Sequence, residues 1–227
     1  MNKNVLVVSA HPDDEILGAG GTLIRHRNND DAITWIIITG LFKESGFSEE
    51  RILSRKNEIS EVAKRLDIKN VYHFDFPTMS LTDSDLGPLI SKISKVFLEV
   101  KPEVVYVMNR SDAHSDHRVT FDAVAACTKS FRYPFISEVL MYECLSETEF
   151  APALPEKIFK PTCNIDITDQ MEEKIELMNV YESELGDHPF PRSARNIKAL
   201  ATFRGASCGV EYAEAFQIIK SYRFETL

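Results

Sequence analysis

No stretch of this chain approaches the roughly 20 consecutive apolar residues that a bilayer-spanning helix needs, so no membrane-crossing segment is expected. Cysteine is scarce and dispersed: Cys127, Cys144, Cys163 and Cys208 form no C-x-x-C pair. That pattern excludes a Cys-based zinc site and a disulfide framework, and it suits free thiols in a reducing cytoplasm. Positive charge is also short, with 26 Lys and Arg against 35 Asp and Glu, a formal net charge of -9. Nucleic acid is therefore an unsuitable partner, because phosphates call for a basic stripe. No internal repeat and no low-complexity tract is present. The first apolar run, Val5 to Ala10, meets charged residues at once, so it reads as a strand and not as the core of a signal peptide.

What is present is an alternation. Runs of strand length (Asn4 to Ala10, Ala32 to Thr39, Asn70 to Phe74, Glu103 to Met108, Ser137 to Tyr142) are separated by helical segments at about 17–28, 49–66, 85–100 and 119–129. Near-continuous apolar runs such as Val5-Leu6-Val7-Val8 and Trp35-Ile36-Ile37-Ile38 suit parallel strands covered on both faces. The alternation predicts an α/β fold: a doubly wound, mostly parallel, Rossmann-like sheet with helices on both faces. The segment from Glu143 to Pro161, with Pro152, Pro155 and Pro161, reads as a long loop. A short strand at 163–167 and helices near 169–183 and 193–205 predict a C-terminal helical extension, all within one domain, residues 1–227.

Two polar clusters stand out, His11-Pro12-Asp13-Asp14-Glu15 after the first strand and His114-Ser115-Asp116-His117 after the fourth. In doubly wound sheets ligands bind beyond the carboxyl ends of strands, where strand order reverses. With the order 3-2-1-4-5 that crevice lies between strands one and four, so clusters about 100 residues apart would meet. Histidines with a carboxylate suit Zn²⁺ with a position left open for water, and the surplus acids stand ready as a general base and as partners that orient the ligands. A helix cap is the plainer use of an Asp-Asp pair. Gly18-Ala19-Gly20-Gly21 lacks the G-x-G-x-x-G spacing and reads as close helix–sheet packing. Trp35 reads as core. His188 and Arg192, in Gly186-Asp187-His188-Pro189-Phe190-Pro191-Arg192, sit in a polar loop that could reach the mouth of the site.

The first cluster, with Gly18 to Leu23 behind it, closely resembles the signature of the LmbE-like (PIG-L) N-acetylglucosaminyl deacetylase family. His114-Ser115-Asp116-His117 matches that family's H-x-D-H motif. Arg55-x-x-Glu58 with Val62-Ala63, and Arg204-Gly205 through Tyr212-Ala213-Glu214-Ala215-Phe216, resemble its supporting segments. The resemblance implies one Zn²⁺ per chain held by His11, Asp14 and His117. It implies Asp13 as general base, His114 as the imidazolium that steadies an oxyanion, Asp116 as the partner orienting His114, and Arg55 as a contact to sugar hydroxyls. The implied reaction is hydrolysis of the acetamido group of a small N-acetylated sugar, and a homo-oligomer is expected. Leu41-Phe42-Lys43-Glu44-Ser45-Gly46 departs from the family's Glu-x-Gly in a substrate-facing loop, which leaves the substrate open. A non-catalytic sugar-binding protein and a zinc hydrolase of other N-acyl compounds are the competing readings.

Overall fold

The computed structural model describes residues 2–223. Seven strands form one sheet: β1 (Asn4–Ser9), β2 (Ala32–Gly40), β3 (Asn70–Pro77), β4 (Val104–Met108), β5 (Glu138–Tyr142), β6 (Cys163–Asp166) and β7 (Ala213–Ser221). Their order is β3-β2-β1-β4-β5-β7-β6. The first five are parallel and follow the predicted 3-2-1-4-5 order, which puts β1 between β2 and β4 at the reversal point. Val5 to Val8 are fully buried because both faces of this central strand are covered. Trp35 is fully buried as well, and its indole N–H donates to Ser9 Oγ at 2.8 Å.

Among the described residues six α-helices accompany the sheet: α1 (Asp14–Asn28), α2 (Glu49–Arg65), α3 (Leu86–Val100), α4 (Ser115–Ala126), α5 (Met171–Met178) and α6 (Ala194–Cys208). Helices α1 and α4 both start earlier than hydrophobic periodicity suggests. Their first turns carry the chemistry, with Asp14 and Glu15 in one and Asp116 in the other. Carboxylates are favourable there because the helix N-terminus is electropositive.

The C-terminal region carries the expected helices as α5 and α6 and adds a strand that the sequence reading did not foresee. Residues 213–221 form β7, which lies between β5 and β6 and runs antiparallel to both. Ala213 to Phe216 are all buried, so this strand completes the sheet from inside and carries no simple in–out alternation to reveal it.

β7 also grips α1. Lys174 of α5 and Glu214 of β7 are 3% and 4% exposed and meet at 2.6 Å. The Glu214 carboxylate accepts the N–H groups of Gly21 and Thr22, each at 2.8 Å, while Lys174 Nζ donates to Leu17 O at 2.9 Å. Leu17 O and Gly21 N–H belong to one i→i−4 step, so the ion pair lies across the hydrogen-bond ladder of the helix. The glycines permit this approach. A Cβ on Gly18 would strike the Tyr142 ring, and one on Gly21 would come within 2.7 Å of Ile167 Cγ2. Close packing is thus the role of Gly18-Ala19-Gly20-Gly21.

Removing one partner of a buried pair strands the other. Glu214→Ala is expected to lower unfolding stability by roughly 3–5 kcal/mol, read from urea melts by circular dichroism. Exchanging both partners for Met and Leu should not recover wild-type stability, because two helix N–H groups and one carbonyl lose their partners.

Candidate active site

β1 ends at Ser9, and His11 to Asp13 form the turn into α1. β4 ends at Met108, and the loop after it leads to His114 at the cap of α4. The sheet thereby brings both clusters together: the rings of His11 and His114 have centroids 4.5 Å apart, and those of His11 and His117 are 5.5 Å apart. They lie in a cleft of about 910 Å³ beyond the carboxyl ends of the strands.

Among the described residues two overlapping groups could hold a metal ion, His11 with Asp14 and His117, and His11 with His114 and Asp116. Hydrogen bonding favours the first. Asp116 has its oxygens taken by Met79 N–H (2.8 Å), Leu81 N–H (3.0 Å) and His11 Nε2 (3.1 Å), and His114 Nδ1 accepts the Asp116 N–H at 3.1 Å. In the first group, Asp14 Oδ2 accepts the His11 N–H at 2.8 Å and Asp14 Oδ1 lies 3.3 Å from His117 Nε2. That nitrogen is fully buried and makes no hydrogen bond of acceptable geometry. His117 Nδ1 is 2.8 Å from Asp112 Oδ2, which fixes the proton on Nδ1 and leaves Nε2 free as a ligand. Each of these two histidines is therefore backed by a carboxylate, His11 by Asp116 and His117 by Asp112. The N, N, O donor set and the orphaned Nε2 fit a divalent transition metal.

Electrostatics agree. Although burial opposes it, Asp14 and Asp112 hold the His117 imidazole well above its ordinary pKa. Against the same cost of burial, His117 and His11 hold Asp14 below the usual carboxylate range. The position between them is built for positive charge.

Asp13 is arranged differently. It sits at the N-cap position of α1, yet its side chain makes no capping bond. Its φ of 140° is rare for any side-chain-bearing residue and marks stored strain. The strain is held in place by the Asp13 N–H donating to Glu15 Oε2 at 3.1 Å, and by Asp13 O accepting from Leu17 N at 2.9 Å. Burial, with Asp14 and Glu184 nearby, raises the Asp13 carboxyl well above its ordinary pKa, the mark of a carboxylate that readily takes a proton. Burial pushes Glu15 up to about 8, so Glu15 is neutral at pH 7 and adds no charge beside Asp13.

Two expected roles change. Burial and the neighbouring His11 ring push His114 down to about 4, so it is a neutral imidazole and not an imidazolium. Its Nδ1 accepts the Asp116 N–H, which leaves the proton on Nε2 as a donor. Asp116 thus orients His114 through its backbone, while its carboxylate serves His11. Arg55 lines the cleft, but its guanidinium is turned to Pro12 O, to Glu184 and, at 3.0 Å, to Glu58 Oε2. It braces the strained turn and has little left for sugar hydroxyls. Of the loop pair, Arg192 lines the cleft, bonded to Ser146 Oγ (2.7 Å) and Glu184 O (2.7 Å), whereas His188 is exposed and stands outside it.

Sequence reasoning missed the places of Asp112, Asp75, Cys144 and Glu147 in the site. Asp75 lies where the β2–β3 register shifts, has φ 58°, and faces the cleft over Gly40. Cys144 is buried with Sγ 3.4 Å from Asp14 Oδ1. The two-residue step Asp112-to-His114 before H-x-D-H was the one available hint, since an acid just upstream of a ligand histidine can orient it.

Comparison with known proteins places this arrangement in context. The family described as PIG-L, GlcNAc-PI de-N-acetylase, matches residues 6–128. The chain is 24% identical to the diacetylchitobiose deacetylase of Thermococcus kodakarensis over 96% of its own length and 83% of that protein. Its fold is similar to that of the N,N'-diacetylchitobiose deacetylase of Pyrococcus horikoshii, with a TM-score of 0.74, 24% identity and coverage of 95% and 83% of the two chains. It is also similar to GalB, the 4-carboxy-2-hydroxymuconate hydratase of Pseudomonas putida, with a TM-score of 0.71, 20% identity and full coverage of both chains.

Because Asp112 fixes the tautomer of His117, Asp112→Ala is expected to weaken Zn²⁺ affinity by about 10- to 100-fold. Competition with a chelating dye measures this directly, and an unchanged affinity would remove Asp112 from the metal site.

Proposed function

Since the chain belongs to the PIG-L family of GlcNAc-PI de-N-acetylases, we propose that it is a zinc-dependent hydrolase acting on N-acetylated sugars or sugar conjugates. It removes the acetyl group from nitrogen and releases acetate and a free amine. The observation that carries this reading is the fully buried, unpartnered Nε2 of His117, facing Asp14 beside a strained and uncapped Asp13.

One Zn²⁺ per chain would be held by His11, Asp14 and His117. When bound, such an ion lowers the pKa of water toward about 7 and polarises a carbonyl. The remaining work falls to the chain. Asp13, with its free carboxylate and raised basicity, takes a proton from the attacking water and returns it to the departing nitrogen. His114 donates its Nε2–H to the oxygen that becomes an oxyanion, and as a neutral donor it needs no prior protonation. Asp116 and Asp112 keep the ligand imidazoles aimed, and Arg55 and Glu15 hold the turn that presents Asp13.

Acetate release from a panel of N-acetylated sugars, with and without chelator, tests the reaction and separates it from mere sugar binding and from hydrolysis of other N-acyl compounds. Asp13→Asn should keep zinc and fold while kcat falls by at least about 10²-fold. Asp14→Asn should lose metal affinity, and His11→Ala or His117→Ala should abolish uptake, since three protein ligands leave none to spare. Zinc content measured alongside kcat decides each role. If Asp13→Asn lost metal while Asp14→Asn kept it, the roles of the pair would be reversed.

A homo-oligomer accords with the exposed apolar side chains Phe150 (63%), Leu154 (45%) and Ile158 (56%) in the proline-containing segment. Sedimentation equilibrium at micromolar concentration should then show a mass above the 25.8 kDa of one chain.

A further inference from the structure

The loop after β5 holds one carboxylate for which the reaction above has no use. Its turn is fastened on every side: Cys144 N–H donates to Thr148 Oγ1 (2.8 Å), Thr148 O–H donates to Asp112 Oδ1 (2.7 Å), Ala113 N–H donates to Glu147 O (3.1 Å), and Ser146 N–H donates to Glu149 Oε1 (2.7 Å). The turn is thus wired to Asp112, the residue that aims His117. From it the half-buried side chain of Glu147 lines the cleft, next to Ser146, and its carboxylate has no hydrogen bond or ion pair among the described residues.

The charges around the cleft show what this leaves open. The arginines that line it are already engaged. Arg51 is bound to Glu58 and Glu184, Arg55 to Glu58, Glu184 and Pro12 O, and Arg192 to Glu184 and Ser146 Oγ. Lys43 is paired with Glu49. Lys56 and Glu44, both exposed and without an ion pair, add one free charge of each sign. Glu147 and Asp75 remain, two carboxylates with open lone pairs on the walls of the cleft. Phosphate and carboxylate groups are recognised by free guanidinium forks or ammonium groups; the forks here are closed, and the free ammonium of Lys56 stands against three free carboxylates, Glu44, Asp75 and Glu147. Open carboxylates accept hydrogen bonds from hydroxyls and repel anions.

We infer that the cleft selects N-acetylated sugars whose other substituents are uncharged, and that Glu147 is the specificity-determining residue that turns away phosphate- or carboxylate-bearing conjugates. This rests on the deacetylase reading. It narrows the substrate class within it, because nucleotide-linked and phosphate-linked sugars fall on the rejected side.

The test compares the zinc-loaded enzyme on N-acetylglucosamine and on N-acetylglucosamine 1-phosphate. Wild type should favour the neutral sugar by at least about tenfold in kcat/KM. Raising the salt from 0.02 M to 1 M should narrow that preference, since a Debye length of about 3 Å at 1 M screens the repulsion. Glu147→Gln keeps the shape and removes the charge, and it should shift the ratio toward the phosphate by about tenfold. Calorimetric binding of glucosamine and glucosamine 1-phosphate gives the same comparison without turnover, and the variant should lose the preference for the unphosphorylated amine. A wild type that handles both sugars equally, or a Glu147→Gln ratio unchanged in both assays, would overturn the inference and leave the deacetylase reading standing. Absence of acetate release from every sugar would sink the deacetylase reading instead, with the binding comparison still deciding the charge preference.

Discussion

The site depends on a single constraint, the mutual repulsion of carboxylates gathered in a place that excludes water. Asp13, Asp14, Glu15, Asp112 and Asp116 are all less than 9% exposed and are clustered at two adjoining strand ends. Five negative charges could not coexist there. The fold resolves the conflict in three ways. Glu15 is held protonated by burial, Asp116 and Asp112 are set against imidazoles and N–H donors, and Asp14 faces a histidine nitrogen across a position suited to a cation. Asp13 is only partly offset, by the charges of Arg55 and Arg192, and the same imbalance that makes it costly makes it basic.

The scaffold around this cluster is unusually invested in one helix. α1 receives the strained turn at its start, the Tyr142 and Ile167 side chains against its glycines, and an ion pair across its backbone ladder. Arg55 and Glu184 brace the turn from the other side. Each contact limits the freedom of the residues that must converge on one point. Misplacement by about 1 Å at such a point can cost two orders of magnitude in rate. A fold shared with a hydratase does not dictate the reaction; the arrangement of these few side chains does.

Much of this was legible in the sequence, and the reasons differ from residue to residue. His11, Asp14 and His117 could be found because short motifs at strand ends carry their own geometry, and the apolar runs of β1 to β5 sufficed to order the parallel strands. Asp75 and Glu147 could not be found, since a register shift aims one and a fastened turn aims the other, and neither leaves a pattern. Arg55 was readable as a residue of the cleft but its partners were not, because Glu184 lies 129 residues further on. β7 was missed because a strand buried on both faces among small and acidic residues (Ala213-Glu214-Ala215) shows neither alternation nor a continuous apolar run. The orienting role of Asp116 was displaced for a related reason: spacing cannot say whether a residue acts through its side chain or its amide.

The clasp between Glu214 and α1 bears on how the protein is made. The carboxylate that accepts the Gly21 amide of the helix presenting Asp14 is encoded 193 residues after it. At about 5–20 residues per second, synthesis takes some ten seconds or more to cover that separation, and until then the Gly21 and Thr22 amides lack this carboxylate. The clasp on α1 therefore closes only once β7 has been made. A truncated chain lacking β7 would display the complete His-Pro-Asp-Asp and His-Ser-Asp-His motifs without the backbone support that sets their aim.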